Sequence, residues 1–246
     1  MDEKIQKAVQ LIRESNKVIV LTGAGISTES GIPDFRSPET GLWEKIDPMK
    51  ALSTNILLNN PEQFYALGFK ILTSMLDAKP NKSHEILAKM EREGHISTLV
   101  TQNIDNLHQK AGSQNVLEVH GHIREGYCLN CHAKLSLEKI KEKVEHKEVP
   151  PKCMLCGGIV RPSVVMFGDP LPSCFDQAWN ETENADLLIV IGSSLEVGPV
   201  NYLAHICKKL IIINLAHTAY DHRAAVCISE KASEVLNKIY QLLKNN

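Results

Sequence analysis

The chain of 246 residues has few aromatic side chains, no long apolar run and almost no net charge. Phe, Trp and Tyr make up 5% of it, while 43% of the residues are hydrophobic, as in an ordinary globular protein. No run approaches the roughly 18 apolar residues of a membrane helix, so we expect no membrane contact. The formal charge of −2 creates no overall basic field, so no direct nucleic-acid partner is expected.

A secretory signal and a disulfide framework are also missing. Residues 1–17 are charged and have the periodicity of an amphipathic helix, without the apolar centre and cleavage site of a signal peptide. The seven cysteines are an odd number, and four of them form two closely spaced pairs, which favours metal binding in a reducing compartment. We therefore predict a cytoplasmic protein, and we expect it to be monomeric.

Apolar runs alternate with segments compatible with helices. They predict strands at 18–21, 96–100, 116–119, 164–167, 187–191 and 210–213. Helices are predicted at 81–94 and 236–243, and another runs from Pro61 towards Ala78, with Asn60 as its cap and Gln63 completing a capping box. This alternation predicts an α/β fold in which helices cover both faces of a parallel sheet.

Two stretches interrupt the alternation and are interpreted as inserts. Residues 37–79 contain a loop and a helix without a convincing strand, and residues 124–159 contain all four paired cysteines. Residues 1–36, 80–123 and 160–246 would then form a Rossmann-like domain. The two inserts would form a smaller helical and zinc-ribbon module, and a ligand is expected in the crevice at the carboxyl ends of the strands.

A glycine-rich turn follows the first predicted strand. Gly23, Ala24 and Gly25 would let backbone amides approach a pyrophosphate, although Thr28 stands where a dinucleotide fingerprint has its third glycine. A tight strand-to-helix connection is the alternative interpretation. An acid, a ring and a guanidinium that matches phosphate follow the turn, which favours nucleotide binding: Asp34, Phe35 and Arg36.

Other predicted strands also end in polar residues. Residues 102–105 follow the second strand, and here a helix cap at Asn103 or Asp105 is the structural alternative. His120 follows the third strand and titrates near neutral pH, which suits removal of a proton from a sugar hydroxyl, although a lone histidine there is usually structural. Two later strands end in groups suited to phosphate or ribose: Gly192, Ser193, Ser194 and Asn214.

Two C-x-x-C pairs lie 21 residues apart, which is close to the spacing of a zinc ribbon. Four thiolates would close a tetrahedral site and leave no position for water, so the ion is expected to be structural zinc. A redox pair or incidental cysteines are the alternatives, and His132 is a minor candidate to replace one sulfur. The predicted ligands are Cys128, Cys131, Cys153 and Cys156.

Taken in order, these motifs resemble the sirtuins, which are NAD-dependent protein lysine deacylases. The matching stretches are G-A-G-I-S, G-I-P-D-F-R, T-Q-N-I-D, H-G, both C-x-x-C pairs, R-P-S-V-V-M-F-G and G-S-S-L, from about residue 15 to the carboxyl end. The resemblance implies a Rossmann-like domain with a small zinc module. It also implies transfer of an acyl group from lysine to ADP-ribose, with release of nicotinamide and O-acyl-ADP-ribose, and acetylated proteins as partners.

The resemblance also implies roles for residues. His120 would be the base, and Asn103 is the second predicted catalytic residue. Asn103 and Asp105 would hold the nicotinamide and ribose side, and Gln102 would contact the ribose. The remaining NAD contacts would come from Gly23, Ala24, Gly25, Thr28, Asp34, Phe35, Arg36, Ile104, Gly192, Ser193, Ser194 and Asn214. A substrate peptide would add as an extended strand between two segments represented by Val165, Phe167, Gly168, Glu196 and Val197.

Two positions depart from patterns in the family. Asp169 stands where the family usually has glutamate. Gly68 stands where members that prefer acidic acyl groups have arginine, three places after Tyr65, so we predict neutral acyl groups, chiefly acetyl. Two other functions remain open at this stage, namely a mono-ADP-ribosyltransferase that uses the same NAD site and a noncatalytic zinc-ribbon binding module.

Overall fold

The computed structural model describes residues 2–34, 41 and 46–245. The strands, in chain order, are β1 (Val18–Thr22), β2 (Thr98–Thr101), β3 (Val116–Glu118), β4 (Gly121–Cys128), β5 (Lys134–Ser136), β6 (Val160–Val164), β7 (Leu187–Ile191), β8 (Leu210–Ile213) and β9 (Val226–Ile228).

The α-helices are α1 (Asp2–Arg13), α2 (Pro48–Ala51), α3 (Thr54–Asn59), α4 (Pro61–Gln63), α5 (Phe69–Thr73), α6 (Lys82–Arg92), α7 (Leu107–Ala111), α8 (Leu137–Glu145), α9 (Cys174–Glu183), α10 (Leu203–Ile206) and α11 (Ala232–Lys244). A π-helical turn (Phe64–Gly68) joins α4 to α5, and 3₁₀ helices occupy Ala24–Ser30, Val200–Tyr202 and Asp221–Arg223. No helix within the described ranges is long and apolar enough to cross a membrane.

Six strands form a parallel sheet in the order β3-β2-β1-β7-β8-β9. Alternate residues of β1 enter different cores: Val18 and Val20 pack with α1, α6 and α11, whereas Ile19 and Leu21 pack with α9 and α10. A strand buried on both faces is apolar at every position, which explains the continuous runs in the sequence. The predicted α/β fold with helices on both faces is confirmed.

A second sheet is small and antiparallel, with the order β5-β4-β6. Its residues share one core with the helical segment before α6, including Phe64 and Leu72 from that segment and Ile123, Ile140 and Val160 from the region around the sheet. We call this unit the small module. The exact domain boundaries stay a prediction, but the two inserted regions pack together.

The strand predicted at 164–167 is wrong. β6 ends at Val164 and pairs antiparallel with β4, so it is not a strand of the parallel sheet. Beyond it, the amide of Val165 donates to the carbonyl of His120 at 2.9 Å, and the amide of Met166 donates to the Asp169 carboxylate at 2.8 Å. These backbone groups are bonded within loops instead of in a strand ladder, which an apolar run alone does not reveal.

The helix predicted from Pro61 to Ala78 is shorter and less regular. Asn60 caps it through its Oδ1, which accepts from the Gln63 amide at 3.2 Å. The reciprocal half of the expected capping box is not formed, because the Asn60 amide already donates to the Ile56 carbonyl at 2.9 Å. The regular α-helical part ends with α5 at Thr73, beyond the π-helical turn.

Candidate active site

A cavity of about 840 Å³ lies at the carboxyl ends of the parallel strands. Its walls combine the loops after β1, β2, β3, β7 and β8 with residues of the small module. Such a crevice is the usual ligand site of an open α/β sheet.

The predicted site residues meet in this cavity, although they come from distant parts of the chain. The predicted site residues that line it are Ala24, Gly25, Thr28, Asp34, Gln102, Asn103, Ile104, Asp105, His120, Val165, Phe167, Gly168, Gly192, Ser193, Ser194, Glu196, Val197 and Asn214. Gly23 is not among them, and Phe35 and Arg36 lie outside the described residues.

The glycines after β1 allow two loops to touch. A Cβ on Gly23 would lie 2.7 Å from the carbonyl oxygen of Gly192, and the Gly25 amide donates to that same oxygen at 2.8 Å. Gly192 itself has φ +63°, and a Cβ there would lie 2.4 Å from the Ile26 amide. Side chains at these positions would therefore separate the loops after β1 and β7. The contact between loops is a second reason for glycine besides access to a phosphate.

Asn103 is held by both hydrogens of its side-chain amide. Its Nδ2 donates to the Gly23 carbonyl and to Ser27 Oγ, each at 3.1 Å, and Ser27 Oγ in turn donates to Asp105 Oδ2 at 2.7 Å. All three side chains are buried. The two donor hydrogens of Asn103 are engaged, so its Oδ1 is the atom that can accept from a ligand.

Ser27 was not predicted as a site residue. It lies in the G-A-G-I-S stretch, but its partners are 76 and 78 residues away along the chain. Burial raises the pKa of Asp105, while the Leu107 amide and the Ser27 hydroxyl oppose that rise. Asp105 Oδ1 also accepts at 2.9 Å from the amide of Leu107, the first residue of α7, but the N-cap position of that helix is Asn106, whose side chain makes no capping hydrogen bond. The Asp105 carboxylate therefore joins the start of α7 to the pocket.

His120 has one ring nitrogen fixed by the backbone. Its Nδ1 is 3.0 Å from the carbonyl oxygen of Gln102, so this nitrogen carries the hydrogen and Nε2 of the neutral ring keeps its lone pair. The Gln102 side chain is oriented too, because its Oε1 accepts from Ser193 Oγ at 2.7 Å. The loops after β2, β3 and β7 are thus joined around His120.

A buried polar cluster lies beneath Asn103. The backbone amide of Asn103 donates to Thr101 Oγ1 at 3.1 Å, and the Thr22 hydroxyl donates to the same oxygen at 2.8 Å. His108 Nε2 lies 3.0 Å from Thr22 Oγ1. The His84 ring lies 4.8 Å from that of His108. Burial lowers the pKa of His84 to about 4 and the pKa of His108 well below its usual value, so both rings are neutral at pH 7.

Comparison with known proteins decides the family. The model of the Sir2 family matches residues 23–199, about seven-tenths of the chain. The chain belongs to the Sir2 family. It is 59% identical to NAD-dependent protein deacetylase 2 of Caldanaerobacter subterraneus subsp. tengcongensis, over 100% of this chain and 99% of that protein. It is 42% identical to NAD-dependent protein deacetylase 1 of Pyrobaculum aerophilum, over 98% and 96% of the two chains.

Solved Sir2 structures have the same fold. One Sir2 mutant in complex with a deacetylated p53 peptide and 3′-O-acetyl-ADP-ribose superposes with a TM-score of 0.92 at 38% identity, covering 97% of this chain and 98% of that one. A Sir2 complex with a p53 peptide and NAD⁺ gives 0.89 at 37% identity, covering 98% and 99%. The expectation that the chain is a sirtuin is confirmed.

The two segments predicted to hold a substrate peptide belong to different parts of this Sir2 protein. Residues 165–168 follow β6 of the small module, whereas Glu196 and Val197 follow β7 of the parallel sheet. Phe167 is fixed to the helical region, since its amide donates to the Leu52 carbonyl at 2.9 Å and its carbonyl accepts from the Thr54 amide at 3.0 Å. The groove between the segments is therefore formed by two packing units.

The residues that form an apolar wall of the cavity were not predicted. Leu52, Ile71, Leu72 and Met75 line it from the small module, and Phe175 lines it from α9. In the sequence these residues have ordinary helical spacing and are indistinguishable from core positions. They give this Sir2 cavity an apolar side opposite its polar strand ends.

Four cysteines come together at the tip of the small module. Their sulfurs all lie within 4.8 Å of one another, with Cys128 and Cys156 at 3.4 Å and Cys131 and Cys153 at 3.6 Å. A tetrahedral zinc site with Zn–S bonds of about 2.3 Å has sulfurs roughly 3.8 Å apart, so the set fits zinc. His132 is not part of the cluster.

Proposed function

We propose that this Sir2 protein is an NAD-dependent protein lysine deacetylase. With NAD and one water molecule as co-substrates, it would transfer the acetyl group of an acetylated lysine to ADP-ribose, so that nicotinamide, O-acetyl-ADP-ribose and free lysine are released. One observation carries the proposal: a single cavity collects the polar ends of five parallel strands around His120, whose tautomer leaves Nε2 basic. The names of the similar proteins and the peptide complexes of solved Sir2 structures support it.

NAD fits the donors that line the cavity. Its pyrophosphate would lie at the turn that contains Ala24 and Gly25, where the close contact with Gly192 leaves little side-chain bulk. When bound, NAD supplies the ADP-ribose that receives the acetyl group and the nicotinamide that leaves. Further contacts would come from Thr28, Asp34, Ser193, Ser194 and Asn214, as well as Phe35 and Arg36.

His120 would act as the base. Its Nε2 would take a proton from a ribose hydroxyl while Nδ1–H stays bonded to the Gln102 carbonyl, so the ring keeps its orientation when it becomes charged. Gln102 would contact the same ribose through its side-chain Nε2, because its Oε1 already accepts a hydrogen bond from Ser193. This arrangement activates the hydroxyl that receives the acetyl group.

Asn103 and Asp105 would fix the nicotinamide side. The link from Asn103 through Ser27 to Asp105 is buried, so the Asn103 Oδ1 is presented in one orientation. An oriented oxygen acceptor stabilises positive charge that develops on the sugar better than mobile water does. Ile104, between them, would contribute an apolar contact.

The acetylated peptide would enter between the two groove segments. Its backbone would lie as an extended strand beside Val165, Phe167 and Gly168 on one side and Glu196 and Val197 on the other, so main-chain bonds would provide affinity with little dependence on side chains. The neutral lysine stem would pass along the apolar wall. Acetylated lysine-containing proteins are therefore the proposed partners.

The acyl group is proposed to be neutral. Tyr65 is only 2% exposed and its hydroxyl donates to the Val160 carbonyl at 2.7 Å. A Cβ on Gly68 would lie 2.1 Å from the Ala51 carbonyl oxygen, so the position has no room for a guanidinium. With neither group able to pair with an acidic acyl chain, deacetylation should be faster than desuccinylation.

One structural zinc ion would be held by Cys128, Cys131, Cys153 and Cys156. Four sulfurs complete its coordination, so it would stabilise the small module without supplying a reacting water. A cytoplasmic location, a monomeric state and the lack of a nucleic-acid partner stay predictions.

The decisive experiment incubates the protein with NAD and an acetylated peptide. Mass spectrometry should detect free nicotinamide, deacetylated peptide and O-acetyl-ADP-ribose in equal amounts. Transfer of labelled ADP-ribose to protein, without acetyl-ADP-ribose, would instead favour the mono-ADP-ribosyltransferase. A noncatalytic zinc-ribbon module would leave NAD intact.

A further inference from the structure

An ion pair with a buried guanidinium lies beside the proposed peptide groove. Arg161 in β6 is 3% exposed, and its guanidinium binds the Asp169 carboxylate with both nitrogens, Nη1 to Oδ1 at 2.9 Å and Nη2 to Oδ2 at 2.5 Å. Such a two-bond contact between a guanidinium and a carboxylate fixes direction as well as distance. The pair therefore fixes where the segment between the two residues can lie.

The same two side chains hold the backbone on both sides of the groove segment. Arg161 Nη2 donates to the Val164 carbonyl at 2.8 Å, and Asp169 Oδ2 accepts from the Met166 amide at 2.8 Å. The Thr54 hydroxyl donates to Asp169 Oδ1 at 3.1 Å. Residues 164–169 are thus closed into a loop by one ion pair and attached by it to α3.

Backbone bonds attach this loop to two further parts of the molecule. Phe167 bonds to the segment 52–54 through its amide and its carbonyl, and the Val165 amide donates to the carbonyl of His120 at 2.9 Å. A shift of the loop would therefore change the peptide groove and its distance from His120 together. Arg161 does not line the cavity, whereas Asp169 does, but the Asp169 carboxylate is occupied by protein donors.

We infer that Arg161 and Asp169 are positioning residues for the peptide substrate, which hold Val165, Phe167 and Gly168 in the shape that accepts an acetyl-lysine strand. The inference rests on the proposed deacetylase function. It also explains how this chain works with aspartate where glutamate is usual, because the shorter carboxylate reaches Arg161, Thr54 and the Met166 amide at once.

The matched variants are Asp169→Asn and Asp169→Glu, studied in the full protein with zinc. Asn keeps the size of the side chain but loses its charge and leaves the buried guanidinium without a counter-ion. We expect this variant to raise the KM for acetylated peptide and the peptide Kd by about tenfold, the effect of one lost charge-assisted hydrogen bond. Glu keeps the charge and should remain within about threefold of the natural chain.

The NAD side is the internal reference. The KM for NAD and the zinc content should stay unchanged in Asp169→Asn, because the loops after β1, β2 and β7 are not bonded to the ion pair. Glu181→Gln removes the acid of another ion pair, whose oxygen lies 2.7 Å from Lys17 Nζ, and it should change neither KM. If Asp169→Asn does not fold, Thr54→Val removes the bond of the Thr54 hydroxyl to the carboxylate and its 3.3 Å contact with the Phe167 carbonyl, and it should raise the peptide Kd by a smaller factor.

Several outcomes would overturn the inference. An unchanged peptide Kd in Asp169→Asn would do so, and so would an equal rise of the KM values for peptide and NAD, which indicates general damage. The peptide Kd is measured by calorimetry without turnover, so this test does not depend on whether the protein is a deacetylase. A natural chain that binds peptide without releasing nicotinamide contradicts the deacetylase, while the comparison of peptide Kd values still decides the role of the ion pair.

Discussion

The parallel sheet and the small module are stabilised by different means. Strands β1, β7 and β8 are buried along their whole length, and two apolar cores cover the two faces of the sheet. The small module has one core, shared between helical segments and three short strands, and adds four clustered thiols and the ion pair of Arg161 with Asp169.

The nucleotide side and the peptide side of the cavity therefore differ in what stabilises them. The nucleotide side of the cavity lies on strand ends that depend on apolar burial, which needs no cofactor. The peptide side lies on a module that combines a small core with a metal site, and metal binding is then part of its folding free energy. Under denaturing conditions we expect the small module, which carries part of the peptide groove, to unfold before the parallel sheet.

The largest expected effect comes from removing a zinc ligand. Cys128→Ser should release the metal and unfold the small module, because structural zinc contributes on the order of 10 kcal/mol to such sites. Hydrogen exchange should then be fast in β4 and β6 but remain slow in β1 and β7, and elemental analysis should find no zinc. Cys227→Ser, outside the cluster, is the control. If Cys128→Ser holds no zinc but hydrogen exchange in β4 and β6 stays slow, the small module does not depend on the metal and the comparison with the parallel sheet is wrong.

His120→Ala should separate chemistry from folding. Loss of the base is expected to lower deacetylation by at least about 100-fold, within the usual range for general-base catalysis. Zinc content and the free energy of unfolding should hardly change, since the histidine is partly exposed at the cavity. The exposed His146→Ala on the surface should behave as the natural chain. Full activity of His120→Ala would exclude its proposed role.

Burial of His84 in α6, which packs on the parallel sheet, should make the free energy of unfolding decrease in acid. Its pKa is lowered from 6.5 to about 4 by burial, so between these values the unfolded chain takes up a proton that the folded chain does not. Stability is therefore lost as the pH falls from 6.5 to about 4, by roughly 3 kcal/mol for this one group.

His84→Gln tests this acid sensitivity. Glutamine does not titrate, and it suits the capping-box position that His84 occupies opposite Asn81. Urea unfolding at a series of pH values should show proton uptake on unfolding reduced by about one near pH 5. An identical pH slope in the two proteins would mean that His84 is not the group responsible.

The smallest effect is expected at Gly68, on the small module. Gly68→Ala places a Cβ 2.1 Å from the Ala51 carbonyl oxygen, so α2 must shift away from the π-helical turn. We expect a loss of roughly 1–3 kcal/mol, as in other overpacked cores. Ala66→Ser, in the same turn but exposed, should stay within about 0.5 kcal/mol. Equal stabilities in denaturant titrations would show that α2 yields without cost.

The sequence predicted those elements whose signal is local. The runs at 18–21, 187–191 and 210–213 were recognisable because both faces of these strands are buried. The four thiols were recognisable by their spacing. In contrast, β4 contains Gly121, Arg124 and Gly126, and β9 has only three residues, so neither stands out as an apolar run.

The site was predicted less completely than the fold. Residues at strand ends could be collected because parallel strands end at one edge of the sheet. Ser27 was missed because its role depends on Asn103 and Asp105, and the apolar wall was missed because Ile71 and Leu72 look like ordinary core residues.

By itself, the sequence determined the kinds of element, the order of the motifs and the four sulfur ligands, because these depend on neighbours a few residues apart. Only the tertiary structure decided that the Asn103 amide meets Ser27, that the Gln102 carbonyl fixes the His120 ring, and that Asp169 closes its loop on Arg161. These contacts depend on where the buried sheet and the shared small core bring distant backbone segments together. Neither composition nor spacing encodes those positions in a form that can be read along the chain.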